Sequence, residues 1–172
     1  MSSRQRARHP FRFLTGRTLA ALCLLLFVAV GLAQDDLSNA VQLRLEMFVV
    51  SERDGQEQYT PSITARAGQV VEYRILAVNH ATVPLQAGTV IVTVPIPADT
   101  TYLQNSAVPR SEDVLLEFKA ADSDYMTPPV FVIVDGERSI AQASDYSGVR
   151  WTLLQTMQPG EERQFSFRVT VI

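Results

Sequence analysis

Apolar residues fall at every second position through most of the chain beyond Leu37. Val41, Leu43, Leu45, Met47 and Val49 alternate with Gln42, Arg44, Glu46 and Phe48. Successive side chains of an extended strand point to opposite faces, so this spacing makes one face apolar and the other largely polar. The pattern returns at Val71, Tyr73, Ile75 and Ala77, and at Val90, Val92, Val94 and Ile96. It returns again at Val114, Leu116 and Phe118, at Val149, Trp151 and Leu153, and at Phe165, Phe167, Val169 and Val171. No stretch has the 3.6-residue recurrence of an amphipathic helix. A chain of this kind is constrained to an all-β fold in which sheets cover one another's apolar faces.

Turn residues punctuate the strands. Pro95 and Pro97 mark the exit of one strand, because proline cannot donate to a ladder. Asp135-Gly136 follows the apolar run Val130 to Val134 and predicts a tight hairpin into Arg138 to Ala141. Pro159-Gly160 precedes the last strand, with proline fixing φ and glycine accepting the positive φ that comes after it. The polar stretch Ser51 to Thr60 carries Asp54-Gly55 and is expected as a connection. Thr100 to Gln104 reads as a short strand. The expectation is seven to eight strands in an immunoglobulin-like, two-sheet antiparallel sandwich, with Trp151 as a core anchor. A closed barrel is compatible with the same alternation.

The first 33 residues have a different character. Arg4, Arg6, Arg8, Arg12 and Arg17 form a basic leader, and Leu19 to Val30 run without a polar residue. Gly31-Leu32-Ala33 then offers small residues at the −3 and −1 positions of a cut between Ala33 and Gln34. A basic start, an apolar core and a small-residue exit are the marks of a secretory signal. The segment 1–33 is therefore expected as a signal helix removed on export, with an uncleaved anchor as the alternative. The apolar run is shorter than the roughly 20 residues that a spanning helix needs. Splitting the chain here also resolves its net charge of −3. The leader carries +5, and the rest has 10 basic against 18 acidic residues, a net −8. The lone Cys23 lies in the leader, so the chain beyond Ala33 has no thiol for disulfides, covalent catalysis or iron–sulfur ligation. An acidic body of this kind would repel nucleic-acid phosphates.

Two segments carry a family resemblance. The first runs from Ala67-Gly68-Gln69 through the strand to Val78-Asn79, then Val90 to Val94, Pro95-Ile96-Pro97-Ala98-Asp99 and Asn105-Ser106-Ala107. The second is Val149-Arg150-Trp151-Thr152-Leu153, then Met157-Gln158-Pro159-Gly160-Glu161 and the closing strand. Together they resemble the DUF11 family of immunoglobulin-like modules common in bacterial surface proteins. The departures are Ala98-Asp99 at a place where glycine is usual, and a long middle region, Arg110 to Tyr146, with an additional hairpin candidate. The resemblance covers a DUF11-like core over 65–172, which leaves an N-terminal strand and loop over 34–64 after the expected signal 1–33. It brings no catalytic residue with it.

Candidate sites are sparse. His80 is the only histidine after the leader, and a lone histidine makes neither a triad nor a zinc site. Copper held by His80 with Met47, Met126 or Met157 is conceivable, but Met47 falls on a core-facing position. Glu112-Asp113 and Asp122-Ser123-Asp124 are acidic pairs without the Asp ladder of an EF-hand, so solvated loops are the simpler reading over calcium sites. Neither a Gly-x-Ser-x-Gly elbow nor a phosphate-binding glycine loop is present. The most loop-like stretch runs from Asp122 to Pro129, and its Asp122, Asp124, Tyr125 and Met126 form the candidate interaction loop, with Tyr125 and Met126 exposed.

These features predict a non-enzymatic, exported module of the cell envelope or surface, acting in structure or protein interaction. Its partners would be other envelope proteins, with no nucleic acid, no membrane contact after signal cleavage, no cofactor and no metal. The alternative is a soluble accessory protein of the periplasm or exterior that binds a small ligand or metal ion through its loops.

Overall fold

The computed structural model describes residues 40–121 and 123–172 together with a strand at 27–28. The strands in chain order are β1 (Phe27–Val28), β2 (Val41–Arg53), β3 (Gln56–Pro61), β4 (Val70–Asn79), β5 (Ile91–Pro95) and β6 (Thr100–Tyr102). After these come β7 (Val114–Ala120), β8 (Phe131–Val134), β9 (Glu137–Ile140), β10 (Tyr146–Leu153) and β11 (Glu162–Val171). All pairings are antiparallel. One sheet has the order β1-β5-β10-β7, a second β3-β2-β4-β11-β6, and β8-β9 form a separate hairpin.

The alternating positions become the core. Val71, Tyr73, Ile75 and Ala77 of β4 pair with Val169, Phe167, Phe165 and Arg163 of β11, and all but Arg163 are buried. Across the gap stand Val92 and Val94 of β5 and Val149, Trp151 and Leu153 of β10. Trp151 is fully buried, with ring centroids 5.5 Å from Phe165 and 6.3 Å from Phe167. Tyr102 of β6 meets Phe118 of β7 at 5.2 Å. The two sheets therefore pack face to face, with β10 over β11 and β7 over β6. Among the described residues the two ladders do not join into a closed barrel.

Three expectations change. The described residues form eleven strands rather than seven or eight. Ser51 to Thr60 is a hairpin and not a loose connection: β2 continues to Arg53 and β3 pairs with it from Gln56 to Pro61. Asp54 and Gly55 both take positive φ (54° and 75°), the turn that matches the twist of two flanking strands. Alternation could not reveal β3, because every one of its residues is exposed. Phe27 and Val28, inside the run expected as a signal helix, are strand residues paired with β5. The rest of the leader, including Ala33 and Gln34, lies outside the described residues.

Candidate interaction site

The middle region supplies the most prominent surface feature. Val130 is fully buried and accepts the Ala141 N–H at 2.8 Å, which roots the β8–β9 hairpin in the core. Beyond that root the apolar run has no polar alternate, so both faces of β8 are apolar and cannot all be hidden. Ile133 is 70% exposed, Val134 53% and Ile140 58%. Asp135 and Gly136 close the tip with positive φ at both positions. The Arg138 guanidinium lies 3.8 Å from the Phe131 ring and covers one side of it. A cavity of about 330 Å³ opens beside the hairpin, lined by Ala120, Ala121, Ser123, Phe131, Val132 and Ile133.

The candidate interaction loop reaches this cavity from one side. Asp124 is exposed, and Asp122 lies outside the described residues. Tyr125 and Met126 are half-buried, which differs from the exposure expected of them. Met126 exchanges both backbone hydrogen bonds with Phe118, donating at 3.0 Å and accepting at 2.9 Å, and so extends the edge of β7. Tyr125 folds back over Gly148, where a Cβ would collide with its phenol. Its ring also takes the Arg150 guanidinium at 4.5 Å, and Arg150 Nε donates to Glu117 at 2.8 Å. Burial pushes the Tyr125 phenol pKa above its ordinary value. In this loop Asp124, Thr127, Pro128 and Pro129 face solvent, beside the apolar hairpin.

The other candidates scatter. His80 is exposed at the end of β4, and its N–H donates to Ala40 O at 2.8 Å. Met157 is fully buried and pairs with Leu85, while Met47 is half-buried on β2. Asp113 is exposed and accepts a hydrogen bond from Gln155. Among the described residues no three His, Cys, Asp or Glu side chains gather where a metal ion could sit.

A second feature has no signature in the sequence. Arg168 of β11 stands on the outer face of its sheet and donates from Nε to Glu72 at 2.7 Å. Its Nη1 and Nη2 grip both oxygens of Glu57 on β3 at 2.7 and 2.8 Å, and Nη2 also reaches the Tyr59 hydroxyl at 2.8 Å. Arg74 completes the cluster, with Nε 2.5 Å from Glu72 and its guanidinium 4.4 Å from the Phe48 ring and 4.5 Å from that of Tyr59. β2 and β4 lie between β3 and β11 in the sheet, so these contacts hold the β2–β3 hairpin folded across the outer face. Hydrogen bonds from Arg168 and then Tyr59 hold the Glu57 carboxyl at about 2. The Arg168 guanidinium is pushed up in turn, mainly by its bonds to Glu57. Nothing in the spacing of these residues announces the cluster, because it depends on register between strands far apart in the chain. No family model, curated protein or solved structure matches this chain.

Proposed function

We propose that this chain is a non-enzymatic, exported module of the cell envelope or surface, acting through protein interaction on an immunoglobulin-like sandwich. The observation that carries the reading is the rooted β8–β9 hairpin, which holds Ile133, Val134 and Ile140 in solvent on a fixed platform. Exposed apolar groups gathered in one place mark contact surfaces on soluble domains. The basic-then-apolar leader supports an address outside the cytoplasm. The resemblance to DUF11 modules agrees with a surface role, and the acidic net charge after Ala33 argues against nucleic acid as the partner.

The test uses the full chain expressed in an exporting bacterium. Fractionation should place it in the envelope or the medium, and recovery from the cytoplasm would overturn the reading. A photo-crosslinking residue at Ile133 should then give discrete adducts with envelope proteins. The double variant Ile133→Ser, Ile140→Ser should abolish adducts from a crosslinker moved to Val134, while leaving the melting temperature nearly unchanged because both side chains are already solvated.

A further inference from the structure

The four-stranded sheet ends beyond β5 in the two-residue β1. Ring contacts place β7 over β6 and β10 over β11, so by count β5 stands over β4 and the next place stands over β2. β2 is patterned for burial there: Val41, Leu43, Leu45, Met47 and Val49 all share the inward face with Val71, Tyr73, Ile75 and Ala77 of β4. Those four β4 residues are buried, whereas all five inward residues of β2 are only partly buried, Val41, Leu43, Leu45 and Met47 among them packing against the core. Where β3 ends, an open groove of about 560 Å³ runs along the edge of β2, bordered by Leu45, Glu46, Met47 and Phe48 and by Pro61 and Ile63, with Ile63 83% exposed. The place over β2 is filled, among the described residues, only by the two-residue β1.

The edge of β5 beside this place has backbone to offer. Leu153 N–H donates to Val90 O, and Ile96 N–H donates to Ser147 O. In an antiparallel ladder the hydrogen-bonding direction alternates, so Val90, Val92, Val94 and Ile96 pair towards β10. Ile91 and Thr93 therefore turn their N–H and C=O groups outward, and Thr93 is the residue opposite Phe27. Pro95 has no N–H and ends the usable edge.

We propose that this edge and the inward face of β2 form an acceptor slot for an extended, apolar strand donated by another envelope protein. The inference rests on the export reading, because cleavage after Ala33 would remove β1 and empty the slot. The chain's own Phe27–Val28 shows what the slot accepts: an apolar segment running antiparallel to β5. Main-chain bonds to Ile91 and Thr93 would hold such a strand, and its inward side chains would cover Leu43, Leu45 and Met47. Charge on the inward-facing side chains of such a strand is disfavoured, since the inward residues of β2 are all apolar and offer no counter-charge there.

The test uses the chain recovered after export, with its N-terminus read by intact mass. The probe is a peptide of residues 25–31 with lysines added at both ends for solubility. A chain beginning at Gln34 should bind the peptide saturably and gain about 5 °C in Tm at saturation. A peptide methylated on the backbone nitrogens that face β5 should bind at least tenfold more weakly, with the protein itself unaltered. A chain beginning at Gln34 that ignores the peptide, or binds the methylated form equally, overturns the slot and leaves the export reading standing. A chain still beginning at Met1 overturns the cleavage and the slot's vacancy with it. A processed chain that sediments as a dimer and is split by the peptide would seat a second copy there and overturn the assignment to a different partner.

Discussion

Single residues in this protein carry structure through hydrogen bonds that have no substitute. Asn79 ends β4, is fully buried, and satisfies three backbone groups. Its Nδ2 donates to Met157 O at 2.8 Å and to Val83 O at 3.3 Å, and its Oδ1 accepts the Ala81 N–H at 2.9 Å. The side chain thereby ties the loop after β4 to the loop before β11. Asn79→Ala would leave the part-buried Ala81 N–H without a protein partner and the Met157 carbonyl with the Leu85 N–H alone, so a loss of about 1–3 kcal/mol is expected. Urea denaturation should show a lower midpoint at unchanged slope. The neighbouring His80→Ala should stay within about 0.5 kcal/mol, as suits an exposed side chain. Equal losses for the two variants would contradict this assignment. At Trp151, packed between Phe165 and Phe167, truncation to Ala should cost about 3–5 kcal/mol through the cavity it leaves. Trp151→Phe should cost much less in the same measurement, because most of the ring volume is kept.

Elements differ in what holds them. β4 and β11 are held by the core, whereas β3 is exposed throughout and depends on β2 and on the Arg168 cluster. Arg168→Met should therefore loosen the β2–β3 hairpin selectively. Amide exchange at Gln58 to Thr60 would speed up while that of β4 stays slow. Uniform change across both elements would contradict the strap. The same contacts give a pH dependence. Glu57 titrates at about 2 in the fold against 4.5 for an unperturbed carboxyl, a depressed value. Its stabilising effect is therefore present above about 4.5 and is lost as pH falls towards about 2. Hairpin exchange should accelerate in that window in the natural chain, and Arg168→Met should flatten the response. Exposure of Glu57 to solvent makes the effect on global stability small and salt-sensitive. None of this was legible in the sequence. Glu57, Glu72 and Arg168 each look like a solvated outward residue, and only the register that sets β11 beside β4, with the β2–β3 hairpin curled over both, brings them together. The half-burial of Tyr125 and Met126 is hidden for a related reason: a Gly at 148 leaves room for a ring to lie on the sheet, and spacing does not show which ring.

At the scale of the whole molecule, the legible part is the part under the strongest constraint. Strands buried on one face must alternate, so β2, β4, β5, β7, β10 and β11 stood out in the sequence. The edge strand β3 has no buried face and gave no such signal, and the apolar run of β8 announced a strand without telling where it would stand. The resulting topology is dominated by pairings between distant segments: Val71 of β4 pairs with Val169 of β11, and Thr100 of β6 with Val171. Chain entropy must be surrendered before such contacts give anything back, so folding is expected in the range of milliseconds to seconds rather than microseconds. Trp151 is the only tryptophan and sits where the two sheets meet, so its fluorescence reports their docking directly. Stopped-flow dilution from urea should show that slow Trp151 phase. Val169→Ala, on the strand that joins β4 to β6, should alter its kinetics, whereas Ile140→Ser on the projecting hairpin should leave them unchanged. A microsecond phase carrying the full Trp151 signal would mean that the sheets assemble from local contacts, which the strand order does not permit.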